Sequence, residues 1–210
     1  MDTIEARRFL QSLKGMGIDS YFFERKDELT LSALQKEVKV CTRCPLAVTR
    51  KTVVFGEGNE RADLVFVGEA PGEDEDVQGR PFVGRAGKFL DQMIQRIGLS
   101  RKDVFICNVL KCRPPQNRDP DPAEVDMCKG YLFSQLQLIR PQVICALGRH
   151  AYNTLMNTDA RITKIRGQFT EYQGIKLLPT YHPSFLLRND ERVKEAMEDM
   201  EKLREVLRVR

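Results

Sequence analysis

Asp63-Leu64-Val65-Phe66-Val67-Gly68-Glu69-Ala70-Pro71-Gly72 runs from an apolar segment straight into a glycine-rich loop. Residues 63–67 carry large or β-branched side chains without polar alternation, the pattern of a strand buried on both faces of a parallel sheet. The loop then leaves the carboxyl end of that strand, where open parallel sheets bind ligands and where glycine lets backbone approach them closely. Three further runs have the same character: residues 104–110, 143–147 and 176–180. Helical patterns lie between them. Residues 83–97 place Phe89, Leu90, Met93, Ile94 and Ile97 on one stripe, with Gly98 as a C-terminal stop. Asp121 followed by Pro122 predicts an N-cap and first-turn proline, opening a helix that runs to about Arg140 with Cys128 on its second turn. In residues 188–210, Val193, Met197, Met200, Leu203 and Leu207 share a stripe. The expected fold is α/β: three layers, α/β/α, around a central, mostly parallel four-stranded sheet.

The chain has 210 residues, 41% of them hydrophobic, enough for one domain with an extension. Residues 1–38 read as a helical extension: a short helix over 6–13 ended by Gly15 or Gly17, then a Ser32/Gln35 capping box opening a helix to about Val40. Residues 39–210 form the expected main domain. No apolar run approaches the roughly 20 residues of a membrane span, and the charged start of the chain has no apolar stretch behind it. The expected location is the cytoplasm, with no membrane partner. A net charge of +4 is compatible with nucleic acid but does not require it.

Of the six cysteines, Cys107 and Cys145 lie inside strand-like runs and read as buried thiols. Cys41, Cys44, Cys112 and Cys128 lie in polar, proline-flanked or helical settings. In a reducing cytosol such a set reads as metal ligands rather than disulfides. Their spacing is Cys-x2-Cys, a gap of 67 residues, then Cys-x15-Cys. Structural zinc takes two close pairs, whereas an iron–sulfur cluster tolerates scattered thiolates, so the spacing favours [4Fe-4S] with zinc as the alternative.

The loop at Gly68, Glu69 and Ala70 fits neither the dinucleotide pattern Gly-x-Gly-x-x-Gly nor a phosphate loop. Downstream, residues 79–88 place glycines and cations around Phe82, a setting suited to a flipped base and its phosphate. Asn108 sits in the second strand just before Leu110, and its amide offers the donor and acceptor that pair with O4 and N3–H of uracil. His182, followed by Pro183 and Ser184 after the last strand, can bind an oxyanion. His150, lacking polar neighbours in sequence, reads as structural.

Cys41-x2-Cys44, Gly68-Glu69-Ala70-Pro71-Gly72, Gly79-Arg80-Pro81-Phe82-Val83-Gly84, Asn108-Val109-Leu110-Lys111-Cys112-Arg113-Pro114-Pro115, Cys128 and His182-Pro183-Ser184 occur in this order. From about Val40 to Asn189 the chain resembles the family 4, iron–sulfur type of uracil-DNA glycosylase. The resemblance implies a monofunctional glycosylase that releases uracil from DNA, with its cluster on the four cysteines named above. It also implies that Phe82 stacks on uracil, Asn108 reads its polar edge and His182 faces O2. Leu186 falls where the superfamily wedges a side chain into the vacated stack. Better-known uracil glycosylases have an aspartate at the place of Ala70, so Glu69 is the nearest carboxylate to hold the water. Glu73, Asp74, Glu75 and Asp76 read as a solvated acidic run, in which Glu75 is placed to wall off the methyl group of thymine.

The expected partner is uracil-containing DNA, single- or double-stranded, bound by a monomer; the residues name no sliding clamp or other repair partner. Arg80, Arg85, Lys88, Lys111, Arg113, Arg118, Arg161, Lys164, Arg166 and Arg188 lie near the motif loops, predicting a basic face and salt-sensitive binding. Two readings of other classes stand beside this one. An iron–sulfur electron carrier would need the cluster but not Asn108 or His182, and a metal-stabilised nucleic-acid module would need neither Glu69 nor Phe82.

Overall fold

A computed structural model describes residues 30–207. The four anticipated strands are β2 (Leu64–Gly68), β3 (Phe105–Asn108), β4 (Val143–Leu147) and β6 (Ile175–Thr180), mutually parallel in the order β3, β2, β4, β6. The sheet nevertheless has six strands and is mixed, not four-stranded. β1 (Glu57–Gly58) pairs antiparallel with β3 at one edge, and β5 (Thr170–Tyr172) pairs antiparallel with β6 at the other. Both edge strands are short and partly exposed, so they carry none of the continuous apolar signal that marks a doubly covered strand.

Helices cover both faces. Along β2, Val65 and Val67 face one core while Leu64 and Phe66 face the other, as the two-residue period of a strand requires. The first core is closed by α1 (Leu31–Lys39), α5 (Pro122–Ile139) and α6 (Arg149–Met156). The second is closed by α4 (Arg85–Arg96) and α9 (Val193–Leu207). Four single-turn or two-turn helices complete the connections: α2 (Leu46–Thr49), α3 (Glu73–Gln78), α7 (Ile162–Ile165) and α8 (Pro183–Leu186).

Most helix ends follow their signals. Asp121 caps α5, accepting from Ala123 N at 2.8 Å while Glu124 Oε2 accepts from Asp121 N at 2.9 Å, and Pro122 occupies the first turn. The start of α1 differs from expectation: Thr30, not Ser32, is the cap, its hydroxyl accepting from Ala33 N at 3.1 Å. A cap two residues earlier brings Leu31 into the helix, where it is buried with Leu34 and Val38. The helix expected over residues 6–13 lies outside the described residues. Among the described residues no helix is long and apolar enough to cross a membrane.

Candidate active site and cysteine site

The carboxyl ends of β2, β3, β4 and β6 open on a cleft of about 560 Å³, lined by Glu69, Ala70, Phe82, Asn108, His150 and His182 among others. Strand register sets its floor, since Gly68 pairs with Asn108 across the parallel β2–β3 ladder. A side chain at Gly68 would run into Asn108 Oδ1 and come within 2.6 Å of Phe82 Cζ. Glycine there is therefore what allows an aromatic ring and an amide to share the strand end. Asn108 Oδ1 is buried with no hydrogen-bond partner. A buried acceptor left unpaired costs about 1–3 kcal/mol, so the cleft holds an acceptor in want of a donor.

Phe82 is presented by unusual backbone. Its φ is +52°, in the left-handed region that bulky residues rarely enter. Two groups hold it there. The Arg101 guanidinium donates to the carbonyls of Pro81 and Phe82 at 2.8 and 2.7 Å, and Gly87 leaves room where a Cβ would overlap the Phe82 carbonyl. Glu75 adds a third constraint. Its carboxylate accepts from Val83 N at 2.8 Å, Gly84 N at 2.9 Å and Gly72 N at 3.1 Å, welding the loop after β2 to the loop that carries Phe82.

His182 stands 5.6 Å from Phe82 between ring centroids. Its Nδ1 accepts from the backbone N–H of Ser184 at 3.2 Å, capping α8. An accepting Nδ1 carries no proton, so the neutral ring bears its proton on Nε2. Burial, with the charges of Arg188 and His150 adding, pushes the imidazole pKa down to about 4, and the ring is neutral near pH 7. Glu69 moves the other way. Burial raises its carboxyl pKa and Asp119 adds to the rise, while His150 and Arg149 oppose it.

His150 was read from sequence as structural, and the structure corrects this. Its Nε2 lies 3.8 Å from Glu69 Oε2 and 3.5 Å from Asp119 Oδ2, inside the cleft. The three side chains come together from the loops after β2 and β3 and from the start of α6 after β4, so no local spacing signals them. Leu186 is a second correction. It is 0% exposed, packed from α8 into the second core, whereas Leu187 beside it is 44% exposed. The basic face is also smaller than expected. Lys111 is buried, and Arg166 is paired with the fully buried Asp199 through two bonds. Arg80, Arg113 and Arg118 pair with Glu57, Glu73 and Glu124, and Arg118 and Arg188 line the cleft.

Cys41, Cys44, Cys112 and Cys128 line a separate hollow between α1, α2 and α5, together with Arg43, Arg50, Lys111 and Tyr131. Cys107 and Cys145 lie in strands, fully buried. Burial pushes the Cys128 thiol up to about 11 and raises that of Cys112, which Arg50 opposes with a hydrogen bond to Sγ of 3.3 Å. Among the described residues, Glu69, Asp119 and His150 are the metal-ligand side chains whose atoms all lie within 4.8 Å of one another. No three of the cysteine sulfurs gather that tightly.

A parallel-centred α/β sheet with a cleft at its strand ends hosts many functions, so similarity to known proteins decides the family. The uracil DNA glycosylase superfamily model matches residues 55–208, and the chain belongs to that superfamily. It is 46% identical over 187 residues to the type-4 uracil-DNA glycosylase of Thermotoga maritima, covering 87% of this chain and 97% of that protein. Identity to the type-4 enzyme of Saccharolobus solfataricus is 48% over 186 residues, 84% and 86% of the two chains. For the type-4 enzyme of Archaeoglobus fulgidus it is 44% over 185 residues, 84% and 93%. Within the superfamily the chain is a type-4 uracil-DNA glycosylase.

Proposed function

We propose that this chain hydrolyses the N-glycosidic bond of deoxyuridine in DNA, releasing uracil and leaving an abasic site. The observation that carries the mechanism is the orphaned Asn108 Oδ1, beside the Phe82 ring at Gly68, in the cleft that His182 also lines. Uracil flipped into the cleft stacks on Phe82, gives its N3–H to Asn108 Oδ1 and accepts at O4 from the same amide. Cytosine presents the opposite polarity at those two positions and leaves the amide unpaired. As the bond breaks, negative charge collects on the departing base and positive charge on the sugar. The neutral His182 ring donates from Nε2 to O2, a preorganised donor of the kind worth about 3–4 kcal/mol. Glu69, as carboxylate, orients the attacking water and stabilises the sugar cation. Leu187, exposed at the end of α8, takes the wedge role expected of Leu186.

Glu75 supports specificity indirectly, because three backbone donors occupy its carboxylate and it fixes the walls that a thymine methyl would have to displace. Residues 39–210 are the proposed catalytic domain, with the extension 1–38 lending Leu31, Leu34 and Val38 to its core. The enzyme is proposed to act as a cytoplasmic monomer.

The cysteine hollow fits a [4Fe-4S] cluster held by Cys41, Cys44, Cys112 and Cys128. Tetrahedral zinc, with bonds of about 2.3 Å, draws its thiolates to within about 4 Å of one another, tighter than these sulfurs sit. Bound there, the cluster would supply a cross-link among chain segments, since glycosidic hydrolysis transfers no electron. The deciding experiment incubates the protein with an oligonucleotide bearing one uracil and then cleaves abasic sites with alkali. A strand break at the uracil is expected, and an intact strand would overturn the reading. Anaerobically purified protein is expected to contain iron and inorganic sulfide.

A further inference from the structure

Lys111 is 1% exposed, yet it carries an amino group into the core. Its hydrogen-bond partners are two oxygens, neither of them a carboxylate. Nζ donates to the Asn108 carbonyl at 2.6 Å and to Gln135 Oε1 at 2.6 Å. Gln135, fully buried on α5, passes the connection on, donating from Nε2 to the Phe55 carbonyl at 2.8 Å. The lysine's own carbonyl accepts from Val54 N at 2.8 Å. These bonds tie the end of β3 to α5 and to the segment before β1.

Lys111 also lines the cysteine hollow, beside Cys112 and Cys128. Asn108, meanwhile, is held at its backbone: its carbonyl accepts from Lys111, while its side-chain oxygen, in a residue that lines the cleft, has no protein partner. A rotation of the Asn108 peptide plane would swing that amide away from the base.

We propose that Lys111 is a positioning residue for uracil recognition, clamping the Asn108 carbonyl against Gln135. The inference rests on the reading of Asn108 as the group that recognises uracil.

The test uses anaerobically prepared holoprotein of the wild type, Lys111→Met, Gln135→Leu, the double variant and Asn108→Ala. Iron and sulfide are counted in each, and the dissociation constant for free uracil is measured by calorimetry well below the melting transition. Roughly tenfold weaker uracil binding is expected in Lys111→Met and in Gln135→Leu. The double variant should be no worse than Lys111→Met alone, as residues of one linkage are non-additive. Affinity for an oligonucleotide without uracil should stay within twofold, because a brace behind Asn108 touches no phosphate. If Lys111→Met loses its iron, Gln135→Leu decides: weakened uracil binding at full iron supports the brace, and wild-type binding overturns it. Wild-type uracil binding by Asn108→Ala would overturn the reading of Asn108 and the brace together. Weak binding by Asn108→Ala beside normal binding by iron-replete Gln135→Leu would overturn the brace alone.

Discussion

In the proposed reaction His182 acts as a neutral ring and Glu69 as a carboxylate, and burial shifts the pKa of both. The backbone N–H of Ser184 occupies Nδ1 and leaves Nε2 as the donor, while burial keeps the ring neutral. Burial acts on Glu69 with the opposite sign, raising its pKa above the usual 4.5. As pH falls, Glu69 accordingly takes up its proton earlier than an exposed carboxylate, and the water loses its base. The profile of kcat/KM is expected to fall on an acid limb above pH 4.5, and Glu69→Gln should abolish that limb while cutting turnover far more than binding. A wild-type limb or unchanged single-turnover cleavage in Glu69→Gln would refute the assignment. His182 contributes separately to stability. Its folded pKa lies below the value of 6.5 for a free imidazole, so the unfolded chain binds the proton first and stability declines as pH drops from 6.5 towards 4. His182→Gln should flatten that part of the stability profile in denaturant titrations. The residues that do this work were unequally legible. Phe82, Asn108 and His182 stand at predicted strand ends or in glycine-rich loops, but His150 finds Glu69 only when two strands lie side by side. Leu186 and Leu187 differ in burial because of the phase of a single helical turn, too short to read from periodicity.

At the level of elements, the strand ends do the positioning, and Gly68 shows how little room they leave. Gly68→Ala places a methyl group against Asn108 Oδ1 and the Phe82 ring. Overpacking of this kind costs about 1–3 kcal/mol, yet the two groups it displaces are the proposed uracil-binding pair. The expected outcome is a folded protein with a modestly lower melting temperature and at least a hundredfold lower kcat/KM on a uracil-bearing oligonucleotide. Activity within threefold of wild type would show that the cleft yields more easily than its geometry implies. The four parallel strands were legible because each is buried on both faces and reads as an apolar run. The edges were not: Glu57–Gly58 and Thr170–Tyr172 owe their strand state to hydrogen bonds from β3 and β6, a tertiary cause with no local signature. Helices α4 and α9 matched their apolar stripes, although α9 starts only at Val193, and α5 matched its cap because Asp121, Pro122 and Glu124 all favour the same start.

Taken whole, the molecule is pinned at the cysteine hollow, where the turn after α1, the loop after β3 and the second turn of α5 converge. Removing iron by oxidation and chelation is expected to lower the melting temperature and to speed amide exchange in residues 31–50 more than in β2 or β4. Equal protection before and after would mean that packing of Leu31, Leu34 and Val38 alone holds this region. The gathering of Cys41, Cys44, Cys112 and Cys128 in one hollow was legible from setting and spacing, whereas the lysine behind them was not, since a lysine in a motif reads as a phosphate contact until its burial is seen. The order of the sheet has one more implication, for how an active molecule comes into being. Glu69, Asn108, His150 and His182 lie at or just past the carboxyl ends of β2, β3, β4 and β6, and those strands lie adjacent as β3, β2, β4, β6. On the proposed assignment, the whole span from Glu69 to His182 has to be synthesised and docked before the site is complete, so an emerging or partly folded chain is expected to be catalytically silent.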